Sequence, residues 1–321
     1  MRFDLSEGQA LWREKAQALA ADLVYDAAAG DAIMGAVRHG LLHARTDLLS
    51  HVAAVEALAA ASPSAAAAYA VHAVVCVALR DHAPLADQLL RGEAIGAASL
   101  SAEDVPMNRD GRLSGRASWV MPVTDRGVAL VGARLGDEAV VFAVSLQARG
   151  VTVVPVQCAG LHGVRWAHLE LDDAEAIRQG PTVPMMARAR VLMAAVGLGM
   201  GARALAEALA AARAGSGTDA GEQTVRGLLA DAATELDAAR LLAWKAAACD
   251  GALSFGDASI AKLAATGAAQ GAVARATQVV GAESFCRGHI LERLAKDVRA
   301  LELFAGRTEA LRGAYAAEHY P

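Results

Sequence analysis

The stretch that decides the fold is Asp297-Val298-Arg299-Ala300-Leu301-Glu302-Leu303-Phe304-Ala305-Gly306-Arg307-Thr308. It lies in the last of the long segments whose apolar residues recur at helical spacing, over about 184–213, 220–250, 256–280 and 287–315. Glycine-containing breaks separate these segments at 215–217, 249–251 and Gly281. The last third of the chain is therefore predicted to be a four-helix bundle.

Upstream of this bundle, the character of the sequence changes twice. Residues 1–95 are typical of helices, with a capping box at Ser6-Glu7-Gly8-Gln9 and a helix boundary at Ser62-Pro63-Ser64. Beyond them, Val-rich runs alternate with turn residues, which indicates a small antiparallel β domain; the runs are 119–121, 128–131, 139–144, 151–156 and 169–171. We predict a mostly helical α+β chain with an N-terminal helical domain (1–95), a middle β domain (96–180) and the bundle (181–321).

Composition narrows the possible partners. The 321 residues carry a net charge of −5 without a basic block, which argues against nucleic acid. The apolar run 65–79 is short and contains His72, so a buried helix is favoured over a membrane span. No signal peptide is visible. The widely separated Cys76, Cys158, Cys249 and Cys286 are predicted to be buried free thiols in a reducing cytoplasm.

Three stretches of the bundle together resemble one family. Residues 297–308 resemble the closing D-x-R-x-x-x-I-Y-E-G-T signature of acyl-CoA dehydrogenases, 229–240 their L-A-D-M-x-T-E-x-x-A-A-R helix, and 261–265 their A-K-L-x-A start of the next helix. The resemblance implies the same three-domain fold and a two- or four-subunit assembly through the bundle. It also implies FAD between the β domain and the bundle, with a neighbouring subunit reaching the adenosine end. The implied activity is oxidation of an acyl-CoA thioester, as in fatty acid metabolism.

The resemblance also implies flavin contacts, several of them altered. Leu100 and Ser101 match the pair that lines the flavin, and Trp119 matches the aromatic residue that shields its ring. Met121 replaces a Thr, which removes a side-chain hydrogen bond and leaves only backbone contacts. The phosphate and adenosine end matches at Arg213, Gly217, Gln278, Gly281 and Phe285, while two family glycines have become Ala282 and Ser284. Each new Cβ hinders close approach of the backbone to a phosphate.

On the substrate side, both positions of the family's catalytic Glu are alanine: Ala305 in the closing signature, and Ala189 at the alternative position. Arg190 matches an Arg of the substrate-binding helix. A positioned general base contributes about 10²–10⁴-fold to such a reaction, and alanine cannot transfer a proton. Rescue by Glu302 would need an altered backbone, since it lies three residues earlier on a predicted helix.

Three functions remain open at this point. The chain is an acyl-CoA dehydrogenase-like flavoprotein, either alone or as the base-less subunit of a heteromeric enzyme; or it is a flavin-dependent monooxygenase of the same fold, which needs no α-proton base; or it is a non-catalytic acyl-binding or structural homologue. Two other motifs are set aside. Gly197–Gly201 lies within a helical pattern, which indicates helix packing and not a dinucleotide site, and His39 and His43 lack a third metal ligand.

Overall fold

The N-terminal third of the chain is helical, as predicted. The computed structural model describes residues 4–43, 45–99, 111–136, 138–215 and 221–320. Its first helices are α1 (Glu7–Asp22), α2 (Ala29–Arg38), α3 (Leu48–Ala61), α4 (Pro63–Ala78) and α5 (Ala83–Leu90). The predicted capping box begins α1, because the Ser6 hydroxyl and the Gln9 side chain each accept the other residue's backbone N–H. Ser62 caps α4, and Pro63 occupies its first turn, where no backbone N–H is needed.

The middle of the chain forms two sheets packed face to face. The strands are β1 (Ile95–Ser99), β2 (Arg112–Val120), β3 (Gly127–Leu135), β4 (Glu138–Ser145), β5 (Val151–Val156), β6 (Trp166–Glu175) and β7 (Ile177–Pro181). One sheet has the order β1-β3-β4-β7 and the other β2-β6-β5. The core between them includes Val131, Phe142 and Leu169. Sequence analysis missed two strands: β1, which pairs parallel with β3 although the domain was predicted to be antiparallel, and β7, whose Gly180 and Pro181 are typical of turns.

Helices return in the last third as α6 (Thr182–Arg213), α7 (Glu222–Ala248), α8 (Phe255–Val280), α9 (Ile290–Leu303) and α10 (Thr308–His319). The single helix predicted over 287–315 is wrong, because α9 and α10 are separate. Between them, Ala305 and Gly306 both have a positive φ, of 58° and 115°, which a right-handed helix does not contain. This break places the decisive stretch in a loop.

The core of the fold is α6, which packs against α3, α7 and α8. Its glycines allow these close approaches: a Cβ at Gly199 would collide with the Glu56 carbonyl, and one at Gly201 with Leu236. The predicted packing role of this glycine run is confirmed. Among the described residues, α6 is also the one helix with the length and apolar composition to cross a membrane; 72% of its apolar window is buried inside the protein.

The cysteines differ from expectation. Cys76 is buried and Cys158 half-buried, but Cys249 and Cys286 are exposed. The prediction of four buried thiols is therefore wrong for the latter two. Both lie just beyond the ends of long helices, where the chain meets solvent. Cys249 directly follows α7, and Cys286 follows the turn after α8.

Candidate functional site

The loop between α9 and α10 is the centre of the candidate site. Ala305 holds a left-handed backbone conformation, which costs a residue with a Cβ about 1–2 kcal/mol. Neighbouring groups must therefore stabilise the loop. Two cations from other helices do so: Arg190 Nε of α6 donates to the Ala305 carbonyl at 3.0 Å, and Lys262 Nζ of α8 donates to the Gly306 carbonyl at 2.6 Å.

Both cations are buried, Arg190 being 5% exposed and Lys262 fully covered. Burial and the neighbouring charge of Arg190 together lower the pKa of Lys262 to about 7. Burial likewise lowers the pKa of Arg190 to about 10. Two desolvated basic side chains, bonded mainly to neutral acceptors, therefore hold the backbone at Ala305 and Gly306.

The remaining contacts of Arg190 are also with the protein. Its Nη1 donates to Ser259 Oγ at 2.6 Å, and its guanidinium lies 3.9 Å from the centre of the Phe255 ring. These contacts hold the loop against α6 and α8. Substrate binding by Arg190 stays a prediction.

The nearest carboxylate of the decisive stretch is already engaged. Glu302 accepts hydrogen bonds from Gln270 Nε2 at 2.9 Å and Thr308 Oγ1 at 3.0 Å, and it pairs with Arg299 at 2.7 Å. Partial burial would raise its pKa, but these hydrogen bonds and nearby positive charges lower it more, so the pKa lies below its usual value. A carboxylate stabilised in this way is a weak base, and Ala189, at the alternative base position, is an apolar buried residue.

An aromatic cluster connects sheet β2-β6-β5 to this loop. We define it as Trp119, Trp166, His168 and Phe304. Edge-to-face contacts join Trp119 to His168 at 5.2 Å, Trp119 to Trp166 at 6.5 Å and Trp166 to Phe304 at 5.6 Å between ring centres. Trp119 is 54% exposed and has a φ of 58°. A non-glycine residue held in this conformation at a surface is often part of a site.

The predicted contact at Met121 is not free in this structure. Its side chain is fully buried, its N–H donates to the Ala98 carbonyl at 3.3 Å, and its carbonyl accepts the Ala98 N–H at 2.8 Å. The backbone N–H and carbonyl of Met121, which were predicted to contact a flavin, are therefore hydrogen-bonded to β1. Leu100 and Ser101 lie outside the described residues.

The residues predicted for the adenosine end lie at helix ends. Arg213 and Gln278 are exposed, and Phe285 is 76% exposed. Gly281 ends α8 with a φ of 80°, and nearby Ser284 turns inward, where its hydroxyl donates to the Gly281 carbonyl at 2.6 Å. These surface groups are accessible to a ligand or a second subunit. Gly217 lies outside the described residues.

A large cavity of about 750 Å³ lies between the end of α5 and strands β3, β4 and β7. Charged residues of both signs line it, namely Glu93, Arg112, Arg126 and Glu175. Its volume falls within the range of ligand sites. Sequence analysis did not identify it, because its lining comes from segments far apart in the chain.

A second feature that sequence analysis missed lies at the start of the decisive stretch. Asp297 is 4% exposed, accepts the Tyr25 hydroxyl at 2.7 Å and accepts the backbone N–H of Leu161 at 2.5 Å. Burial raises the pKa of this carboxyl. We call Tyr25, Leu161 and Asp297 the three-way junction, since it joins the N-terminal helices, the β-region loop and α9.

Comparison with known proteins agrees with this architecture. Residues 182–319 match the family model of the acyl-CoA dehydrogenase C-terminal domain. The chain is 32% identical over 180 residues to a 3-sulfinopropanoyl-CoA desulfinase of Paraburkholderia xenovorans; the match covers 51% of this chain and 46% of that relative, so it spans about half of each.

Two solved structures share the fold over nearly the whole chain. Butyryl-CoA dehydrogenase from Megasphaera elsdenii has a TM-score of 0.86 at 18% identity, covering 99% of both chains. A glutaryl-CoA dehydrogenase from Mycobacterium smegmatis, in complex with FADH2, has a TM-score of 0.87 at 16% identity, covering 99% of this chain and 96% of that one. The predicted mostly helical fold with a small β region is confirmed. Residues 182–319 therefore match the acyl-CoA dehydrogenase C-terminal domain, and the chain as a whole has the fold of acyl-CoA dehydrogenases.

Proposed function

We propose that this chain is a flavoprotein that binds an acyl-CoA thioester but does not by itself remove the α-proton of its substrate. The observation that carries the proposal is Ala305, which occupies the base position on a loop that is otherwise held in place. Neither Ala305 nor Ala189 can accept a proton, and the Glu302 carboxylate is engaged by Gln270, Thr308 and Arg299. Without a base at Cα, dehydrogenation loses about 10²–10⁴-fold in rate.

The residues present fit FAD at two ends. The exposed Trp119 would cover the flavin ring, while Arg213, Gln278, Gly281 and Phe285 would contact its phosphates and adenosine. Bound FAD would supply an acceptor for hydride. The residues proposed for the phosphates and adenosine lie at the surface, which supports sharing of one FAD between subunits. Leu100, Ser101 and Gly217 remain predicted contacts.

An unlike partner subunit would explain a site without its base. In such an assembly, the C-terminal bundle would form the interface and the partner would carry the Glu that this chain lacks. Mass spectrometry of proteins that co-purify with the chain tests this part of the proposal. A longer homologue with an intact E-G-T motif is the expected partner, and a purely homomeric assembly would contradict it.

A second candidate reaction is favoured by the curated relative. The name of that relative describes removal of a sulfinate group from 3-sulfinopropanoyl-CoA. The balanced reaction is thioester–CH₂–CH₂–SO₂⁻ plus water to thioester–CH₂–CH₃ plus hydrogen sulfite. The Cβ–S bond breaks, its electron pair stays on Cβ, and Cβ gains a proton. No proton has to leave Cα, so alanine at position 305 is compatible with this reaction.

One set of assays separates these functions. The purified chain is first examined for visible flavin absorbance, then given butyryl-CoA with an electron acceptor, or 3-sulfinopropanoyl-CoA with sulfite detection. A yellow protein that does not oxidise butyryl-CoA supports the first proposal, and sulfite release selects the second reaction. Efficient oxidation of butyryl-CoA would contradict the base-less proposal. A protein that binds no flavin, even when FAD is added, would identify a non-catalytic homologue.

A further inference from the structure

Trp166 carries a buried polar group that the protein leaves unpaired. The residue is 7% exposed at the start of β6, and its indole Nε1 has no hydrogen-bond acceptor among the described residues. Leaving such a buried donor unsatisfied costs about 1–3 kcal/mol, and native proteins rarely do so without a reason. An acceptor from outside this chain would remove that cost.

A cavity adjoins this residue. It measures about 310 Å³ and is lined by Trp166 and by mainly apolar neighbours, among them Val123, Val156, Leu161 and Val164. A largely apolar cavity with a few polar groups is typical of small-molecule sites. The site therefore offers an apolar wall that includes the Trp166 indole, and the polar side chains of Gln157, His162 and Arg165 complete its lining.

The neighbours of Trp166 indicate which kind of ligand would supply the acceptor. Its ring meets Trp119 on one side and Phe304 on the other, and Phe304 directly precedes Ala305. The proposed function places a flavin ring against Trp119, so Trp166 is one aromatic contact away from that ring. At the same place, Met121 has lost the hydroxyl that the family provides, and its backbone groups are paired with Ala98.

We propose that the Trp166 indole N–H donates a hydrogen bond to the flavin ring and replaces the donor lost at Met121. The flavin ring is planar, carries nitrogen and oxygen acceptors, and would pack against the aromatic cluster. This inference rests on the proposed function, because it concerns the same FAD site. It assigns a binding residue that the resemblance does not provide, since the residue lies on β6 and not on β2.

The test is a titration of the apo-protein with FAD, followed by flavin fluorescence and visible absorbance. Trp166→Phe keeps an aromatic ring and removes the N–H. We expect its Kd for FAD to rise about tenfold, the effect of one lost hydrogen bond of roughly 1.4 kcal/mol. Trp244→Phe is the matched control, since Trp244 on α7 also has a buried Nε1 without an acceptor among the described residues. Its Kd should equal that of the wild type.

Thermal unfolding with and without FAD supplies a second readout. Without FAD, Trp166→Phe should be at least as stable as the wild type, because it removes an unpaired donor whose burial is unfavourable; with FAD, its increase in Tm should be smaller. If the Phe variant does not fold, 3-benzothienylalanine at position 166, with sulfur in place of the N–H, preserves the shape. Equal FAD affinity in the wild type and the N–H-free variants would overturn the inference. Failure of the wild type itself to bind FAD would instead overturn the proposed function on which it rests.

Discussion

The decisive stretch contains two contrasting regions, the three-way junction at Asp297 and the loop at Ala305. At the junction, both oxygens of a buried carboxylate are paired, with Tyr25 and Leu161, and three parts of the chain meet. At the loop, eight residues later, two buried cations from α6 and α8 are also paired, but the side chain at the reactive position is a methyl group. The groups that hold the backbone are paired at both places, whereas the proposed base position carries no titratable side chain.

This contrast teaches that the loop backbone is held without a contact from the side chain at position 305. Arg190 and Lys262 bind carbonyls of the loop and not the side chain at position 305, so its identity is free to change while the backbone is retained. The fold is shared with acyl-CoA dehydrogenases, and the reaction must be argued from the side chains of the site. The following variants test each side of the comparison.

The largest effect is expected at the junction. Asp297→Ala removes the acceptor of two buried donors and leaves the Leu161 N–H and Tyr25 hydroxyl unpaired, so the free energy of unfolding should fall by about 2–4 kcal/mol. Urea unfolding measures this loss. Asp26→Ala is the control, because it breaks only the partly exposed pair with Arg293, worth less than about 1 kcal/mol. Equal losses in the two variants would show that the junction does not hold the fold.

The next effect concerns Lys262 and pH. Its pKa is about 7 in the folded chain against an ordinary value of 10.5, so between these values the unfolded chain binds more protons. Stability contributed by this group is therefore lowest below about pH 7 and rises with pH towards 10.5. The maximum slope for one such group is about 1.4 kcal/mol per pH unit. Lys262→Met should remove this slope between pH 7.5 and 9.5, whatever its effect on absolute stability.

Lys245→Met is the control for that experiment. Lys245 donates to Asp257 at 2.9 Å, and this hydrogen bond raises its pKa, so its removal should not reduce the slope in that pH window. Urea unfolding at several pH values provides the comparison. A wild-type slope that survives Lys262→Met would show that the buried amine is not responsible for it.

The smallest effects are expected from the loop backbone. Gly306→Ala places a Cβ at a φ of 115°, 3.1 Å from Arg190 Nη2 and 3.2 Å from Leu311 Cδ2, and should destabilise the protein by about 1–2 kcal/mol. Ala305→Gly relieves a left-handed alanine and should stabilise the protein by up to about 1 kcal/mol. Thermal unfolding of the pair gives opposite shifts in Tm if the loop holds this conformation. Shifts of the same sign would contradict it.

Much of the fold could be predicted because its signals are local. Ser6, Ser62 and Gly281 marked helix ends, and the Val-rich runs marked strands. The break at Ala305 could not be predicted, because alanine favours helices and its conformation depends on Arg190 and Lys262, which lie 115 and 43 positions earlier in the chain. The use of the Met121 backbone by Ala98 and the pairing of Asp297 with Tyr25 are equally non-local.

The most direct test of the central claim is exchange of the substrate α-proton. Butyryl-CoA is incubated in D₂O with the flavin-loaded protein, and deuterium at Cα is followed by NMR, with Ala305→Glu as the matched variant. A base-less site predicts no incorporation above the rate without protein for the wild type, and enhanced incorporation for Ala305→Glu, by about 10²-fold or more if the carboxylate is well placed. Rapid α-exchange by the wild type would contradict the account, since it would show that another group of this chain serves as the base.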